Sequence, residues 1–306
     1  MVGTNIWGCR DVVRAVYRVV PGSSGPAPPL TSKIMKSILI ESGRWFRGVL
    51  SSRAPYKPVF VSNLMYEARD GVWRPLYARL GRPVFLREGA EYRAIVSACA
   101  PWEATEDLLK LGGRYEAYGF ELLIEPVEAR VTRLSALRVD AGPGYLVRLE
   151  FLTPTIISVK HMAPPMTASA RRAPNAYRLV PQPSVIFAYL LRLWNHIARP
   201  GDRLPNPAAS DLTAYTYGRA SDLLLTEIDY RIRPETAIIG KDNNGKIREV
   251  RGFTGWVTYQ LSRRASKKYI NTLSKLLALA QTLGVGRSRG IGFGHTTVQT
   301  KPTDKT

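Results

Sequence analysis

The sequence predicts an α+β fold of two tandem ferredoxin-like (βαββαβ, RRM-like) domains, one over residues 1–140 and one over 141–306. Two stretches repeat the same order of strand-like and helix-like segments, and Ala141-Gly-Pro-Gly144 breaks the pattern between them. At 306 residues and 45% hydrophobic, the chain can bury one large core or two ordinary ones.

In the first stretch, residues 11 to 20 are β-branched and strand-like, and Pro21 through Pro29 form a Pro/Gly/Ser loop. Thr31 to Ile40 reads as a helix with Ile34 and Ile38 on its apolar stripe. Strands follow near Val59–Tyr66 and Trp73–Leu86, divided by the Asp70-Gly71 turn signal; Glu103–Leu111 is helical and Ala117–Arg133 again strand-like. In the second stretch Tyr145, Val147, Leu149 and Phe151 alternate along one face of a strand. Ser184–Ile197 carries a helical stripe of Ile186, Leu190, Leu193 and Ile197. Leu223–Ile239 and Val250–Leu261 flank Asn243-Asn-Gly245, a hairpin signal, and Lys268–Leu283 is a helix before a last strand beyond Gly294. Residues 199 to 217 read as an insertion.

The most informative segment runs from Gly284 to Gly294, where Gly284, Gly286, Gly290, Gly292 and Gly294 enclose Arg287 and Arg289. Bare backbone N–H groups and guanidinium forks suit phosphate oxygens. A Rossmann or Walker loop leaves a strand and opens a helix. Here a helix comes first, Arg289 stands where G-x-G-x-x-G requires glycine, and no G-K-[ST] follows. A tight turn built for sterics needs one or two glycines, so the loop is expected to grip a polynucleotide.

Charge agrees. Lysine and arginine total 44 against 24 acidic residues, a formal net charge of +20. Between Lys241 and Lys301, twelve cations face only Asp242 and Glu249, so half of the excess lies in a fifth of the chain. Such a field attracts polyanions. With no run long enough to span a bilayer and no signal-peptide pattern, nucleic acid is favoured over membrane. Cys9 and Cys99 fit no C-x-x-C framework and read as small apolar fillers, which suggests a cytoplasmic protein. His161, His196 and His295 have no metal-ligand spacing, so neither a metal nor a cofactor is expected.

The glycine segment has the form G-x-G-x(5)-G-x-G with basic residues inside it. Together with Gly252-Phe-Thr-Gly-Trp-Val257 and the strand Leu149-Glu-Phe-Leu-Thr-Pro-Thr155, it resembles the CRISPR repeat-processing endoribonucleases of the RAMP superfamily. The resemblance implies two ferredoxin-like domains and metal-independent cleavage of precursor CRISPR RNA within each repeat, leaving a 5′-hydroxyl and a 2′,3′-cyclic phosphate. RNA supplies its own nucleophile, so the protein must align it, stabilise charge and move protons.

Many members of that family place a histidine in or just after the first helix; this chain has none before His161. At the matching location stand Lys33 and Lys36, followed by Arg44, Arg47, Arg53 and Lys57. Lys33, Lys36, Arg44, Lys57 and His161 are therefore the catalytic candidates, and slow, single-turnover-like cleavage or none is expected. For RNA binding the candidates are the five loop glycines, Arg287, Arg289, Lys267, Lys268 and the Arg171-Arg172 pair beside Tyr177, with His295 next to the loop. The expected partner is CRISPR repeat RNA, single-stranded or weakly hairpinned; a homodimer and a CRISPR effector complex are candidate assemblies. The rival readings are a non-catalytic RNA-binding subunit of a CRISPR surveillance complex and a general basic RNA-binding protein.

Overall fold

The computed structural model describes residues 7–79, 82–165, 176–204, 211–241 and 244–303. Its first module contains β1 (Asp11–Pro21), α1 (Ser32–Ser42), α2 (Arg44–Ser51), β2 (Val59–Val61), β3 (Met65–Glu67), β4 (Trp73–Pro75), β5 (Tyr92–Ala100), α3 (Trp102–Leu109), β6 (Gly113–Ala117) and β7 (Phe120–Arg133). They form an antiparallel seven-stranded sheet in the order β4-β3-β5-β1-β7-β6, with β2 also paired to β5. The central run β7-β1-β5-β2 has the strand order of a ferredoxin-like sheet. Along β1, Val13, Ala15, Tyr17 and Val19 point to the helices, while Val16 meets Met65 and Ile95 on the other face.

Two expectations for this module need correction. The sheet's third core strand is Tyr92–Ala100, whereas the segment expected as strand over residues 73–86 gives only Trp73–Pro75 at the sheet edge and Phe85–Leu86, which pairs with Gly25–Pro26 outside it. Ala117–Arg133 is not one strand, because Tyr118 and Gly119, both at positive φ (54° and 78°), turn the chain into the β6-β7 hairpin. Arg44–Ser51 is a separate helix.

The second module contains β8 (Leu146–Thr155), α4 (Pro183–Ile197), α5 (Asp211–Leu224), β9 (Leu225–Lys241), β10 (Ile247–Leu261), α6 (Lys267–Leu283) and β11 (Thr296–Lys301). Its antiparallel sheet, β9-β10-β8-β11, repeats the ferredoxin-like order. Helix α4 is apolar nearly all round, as a helix packed on several sides must be, and buries Leu190, Leu193, Trp194 and Ile197 completely. Helix α6 starts at Ser266, whose hydroxyl accepts from the Tyr269 N–H at 3.2 Å, and ends at Gly284 with φ of 73°. Helix α5 begins within the stretch expected as an insertion, residues 199–217, and runs on past it to Leu224.

The modules share apolar surface. Val12, Phe60, Cys99 and Leu134 of the first belong to the same buried cluster as α4 and α6 of the second, so the boundary is fixed by packing. Cys9 and Cys99 form a disulfide with Cα atoms 5.7 Å apart, which corrects their expected role as unpaired fillers. They meet because Val12 pairs with Cys99 on β5, while the Cys9 N–H donates to the Ile197 carbonyl at 2.9 Å. The cytoplasmic expectation loses the support it drew from unpaired thiols. Among the described residues, no helix is long and apolar enough to cross a membrane.

Candidate active site at the module boundary

A cleft of about 850 Å³ opens between the modules. One wall is Lys36 of α1, Leu50 at the end of α2 and the loop from Arg53 to Lys57; the other is Ser158–His161, Tyr189 and Arg192 of α4, and the loop tip from Gly286 to Ile291.

Helix α1 turns Ile34, Met35, Ile38 and Leu39 into the core, and this leaves Lys33 and Lys36 half-buried on the flank. The Lys33 ammonium donates to the Ile239 carbonyl at 2.5 Å and that of Lys57 to the Leu50 carbonyl at 3.0 Å. Burial lowers the pKa of all three lysines, and Lys36 lowers Lys33 and Lys57 further by like charge. Arg248 on the β9-β10 hairpin adds to the effect on Lys33. Among the described residues no carboxylate acts on the three, so the wall favours an anion and eases proton loss from its ammonium groups.

Across the cleft the glycine loop is held by its own backbone. Amides of Gly284, Val285, Arg287, Gly292 and Gly294 donate to the carbonyls of Ala280, Gly294, Ile156, Arg289 and Pro154. A Cβ on Gly294 would overlap the Val285 carbonyl, and one on Gly286 would lie 2.5 Å from the Ile156 oxygen. Close packing therefore accounts for most of the glycines, contrary to the expectation that they exist to bare amides for phosphate. The exception is the tip. Ser288 is left-handed (φ 61°) and opens a single 3₁₀ turn, and the amides of Ser288, Arg289 and Gly290 are not donors to any described protein acceptor. They form a short concave run beside the cleft, a suitable seat for an anion. Arg287, exposed, lies with its guanidinium 5.5 Å from the centre of the Tyr177 ring and donates to the Tyr177 hydroxyl.

Comparison with known proteins settles the family. A model of the Cas6 N-terminal domain matches residues 13–132, and a model of the CRISPR-associated endoribonuclease Cas6 matches residues 149–296. This chain belongs to the Cas6 family. Two CRISPR-associated endoribonucleases Cas6 of Saccharolobus solfataricus are 27% and 28% identical to it, each over 91% of this chain and 93% of the relative. A Cas6 product complex superposes with a TM-score of 0.61 at 18% identity, covering 95% of this chain and all of the other. Thermus thermophilus Cas6 superposes with a TM-score of 0.58 at 17% identity, again over 95% of this chain and all of the other. The expected tandem ferredoxin-like architecture is that of the Cas6 fold, and the chain is an endoribonuclease.

Within this Cas6 framework the expected residues separate. Lys36, Lys57, His161, Gly286, Arg287 and Gly290 border the cleft; Lys33 sits one helical turn away, tied to Ile239. Arg289 borders the cleft too, but its guanidinium is buried and donates to the Leu283 and Lys57 carbonyls at 2.8 and 2.6 Å, which leaves it no free fork for RNA. Arg44 opens α2, whose far end is the part that reaches the cleft. Lys267 and Lys268 begin α6 and the loop follows its end, so they lie about 25 Å away by helix rise. Gly284, Gly292 and Gly294 are buried. Arg171 and Arg172 fall outside the described residues.

The histidines change character. His161 packs against Tyr56 and Tyr189, and burial followed by the charge of Arg192 lowers its pKa to about 3. It is neutral near pH 7 and a poor proton donor there. His295, expected near RNA, is buried against Phe60, with its pKa lowered to about 4 by burial and then by Arg14.

Sequence reasoning passed over Tyr56, Tyr189 and Arg192. Tyr56 takes an unfavourable positive φ of 52° and packs against His161, Tyr189 and His196. Arg192 donates to the His161 carbonyl at 2.8 Å and pairs with Asp211 at 2.9 Å. One signal was present: Arg53-Ala-Pro-Tyr-Lys-Pro58 sets an aromatic and a cation between two prolines, a stiff way to present them. A second groove, about 670 Å³, runs between the outer faces of the two sheets. Arg233 and Arg79 line it, Arg148 stacks on its Trp256 at 3.8 Å and Arg93 on its Trp73 at 4.2 Å.

Proposed function

We propose that the cleft cuts precursor CRISPR RNA within its repeats, without a metal, by attack of a ribose 2′-hydroxyl on the adjacent phosphorus. The 2′-O–P bond forms and the P–5′-O bond breaks; the 2′-OH proton leaves to a base, and a proton reaches the departing 5′-oxygen. The products are a 2′,3′-cyclic phosphate and a 5′-hydroxyl. One observation carries this reading: two lysines with lowered pKa, Lys36 and Lys57, face the unengaged amides of Ser288, Arg289 and Gly290 across a single cleft.

In this arrangement the tip amides and Arg287 hold the non-bridging oxygens, where negative charge grows in the transition state. Lys36 and Lys57 neutralise that charge and carry the protons, a role that the lowered pKa brings closer to neutral pH. Lys33 and Arg248 keep the local field positive. His161 supports Tyr56 and is not assigned the proton transfer. Flanking nucleotides are assigned to the Arg/Trp-stacked groove between the sheets, whose chemistry suits single-stranded RNA. We place the reaction in the cytoplasm, with a homodimer and a CRISPR effector complex as assemblies to seek by sedimentation with and without repeat RNA.

The test is incubation of the chain with end-labelled repeat RNA in EDTA, beside the same RNA carrying a 2′-deoxyribose at the cut. Cleavage of the first alone, to cyclic phosphate ends, is expected. Cutting of the deoxy substrate or a requirement for added metal would overturn the mechanism. Tight binding without cutting would favour an RNA-holding subunit, and salt-steep binding indifferent to sequence would favour a general RNA binder.

A further inference from the structure

The loop tip belongs to one module and the lysines to the other, so the spacing that cleavage needs must be set across the boundary. Among the described residues, two buried polar side chains tie the glycine loop directly to the first module. Asn63, 1% exposed, uses both ends of its amide: Oδ1 accepts from the Ser32 N–H at 3.2 Å, and Nδ2 donates to the Gly292 carbonyl at 3.1 Å. Ser32 is the first residue of α1, directly before Lys33 and one turn before Lys36. Its amide is among the N–H groups a helix start leaves unpaired, so Asn63 both satisfies it and ties the start of the helix to the loop. Gly292 has φ of 88°, and a Cβ there would collide with the Asn63 carboxamide, so the fit is close on both sides.

Arg289, 4% exposed, makes the second tie. Its guanidinium spans the Leu283 carbonyl at the end of α6 and the Lys57 carbonyl in the other module. The helix C-terminus favours a cation. The other carbonyl belongs to the residue whose ammonium borders the cleft. Charged hydrogen bonds made away from water are costly to break, because the freed groups find no replacement.

We propose that Asn63 and Arg289 are positioning residues for cleavage, a buried two-point latch that holds the glycine-loop tip in register with Lys36 and Lys57. This rests on the endoribonuclease reading given above. Neither side chain needs to touch RNA: the Arg289 guanidinium acts through Lys57 and the tip, and the Asn63 carboxamide through α1 and Gly292.

The test compares Arg289→Ala, Arg289→Lys, Asn63→Leu and Asn63→Asp in the full chain. Asn63→Asp keeps the acceptor for Ser32 and removes the donor to Gly292. Single-turnover cleavage should fall about 10- to 100-fold, the scale of a displacement near 1 Å, while repeat-RNA affinity stays within about threefold. Added guanidinium ion should restore part of the Arg289→Ala rate, and Arg289→Lys should fall between Arg289→Ala and the parent. Without RNA, amide exchange in the peptide covering 284–294 should rise together with that in 53–59 in the Arg289 variants and with that in 32–37 in Asn63→Leu. Parental rates in Arg289→Ala and Asn63→Leu, or rate losses that merely follow the unfolded fraction, would overturn the latch. Failure of the parent to cut repeat RNA would instead sink the endoribonuclease reading; the paired exchange would still decide whether the tie exists.

Discussion

The lysine wall and the glycine loop face each other across one cleft but are fixed by opposite means. Lys36 and Lys57 are long, flexible side chains on a helix flank and a proline-bounded loop; partial burial lowers the pKa of both, joined at Lys57 by the like charge of Lys36. The loop is held by its backbone, with the amides of Gly284, Val285, Arg287, Gly292 and Gly294 bonded to nearby carbonyls and those of the tip left unengaged. Changes in the wall should therefore alter chemistry and spare the fold, whereas changes in the body of the loop should damage the fold first. Arg287, at the exposed tip, should behave like the wall.

The largest expected effect is on the wall. Lys36→Met combined with Lys57→Met should lower single-turnover cleavage by about 10²- to 10⁴-fold, the usual range for positioned proton transfer. The denaturation midpoint should stay the same or rise, because two half-buried cations are removed. A matched fall in rate and stability would erase the contrast. In Lys36→Met alone, the loss of its like charge should raise the pKa of Lys57, so any alkaline limb of the rate profile should move to higher pH.

Gly294→Ala probes the loop. The new methyl would meet the Val285 carbonyl at a φ of 67°, and a loss of about 3 kcal/mol or more in urea unfolding is expected. An unchanged midpoint would show that the loop can relax, and the comparison would fail.

Next comes acid sensitivity. The folded pKa of His295, about 4, lies below the unfolded value near 6.5, so the unfolded chain binds more protons between these limits. Stability should fall as pH drops from about 6.5 and level off below about 4, with an upper bound of roughly 3 kcal/mol from this residue. His295→Gln should flatten that slope; a slope equal to the parent's would assign it to other groups.

The smallest effect expected is that of Arg287→Ala. Repeat-RNA affinity should weaken about tenfold and the salt slope should drop by about one, with no change in stability. An unchanged salt slope would remove Arg287 from phosphate contact.

Much of the second module was legible because its elements carry clear periods. The stripe Ile186, Leu190, Leu193 and Ile197 lies on the observed α4, and Gly284 ends α6 as a C-cap glycine should. In the first module β5 was silent. Tyr92–Ala100 is buried on both faces, so it shows no alternation, and its Ala, Ser and Cys have little strand character. The strand signal falls instead on residues 73–86, where prolines limit pairing to two short pieces. Helix α5 was missed because it buries the small residues Ala214, Gly218 and Ser221, with Gly218 pressed against the Ser184 carbonyl, and these leave no hydrophobic stripe.

The sequence by itself determined the tandem ferredoxin-like plan, the cationic excess and the chemistry available to the loop, because propensity, period and charge are local or additive. Which cations face the cleft was decided only by tertiary structure. Arg287 and Arg289 differ by two positions, yet one is exposed and the other is buried against a carbonyl 232 residues away. Lys57 reaches the cleft and Arg44 does not, because the first follows α2 and the second begins it. Burial and partner choice depend on which distant segments pack together, and no local pattern records that.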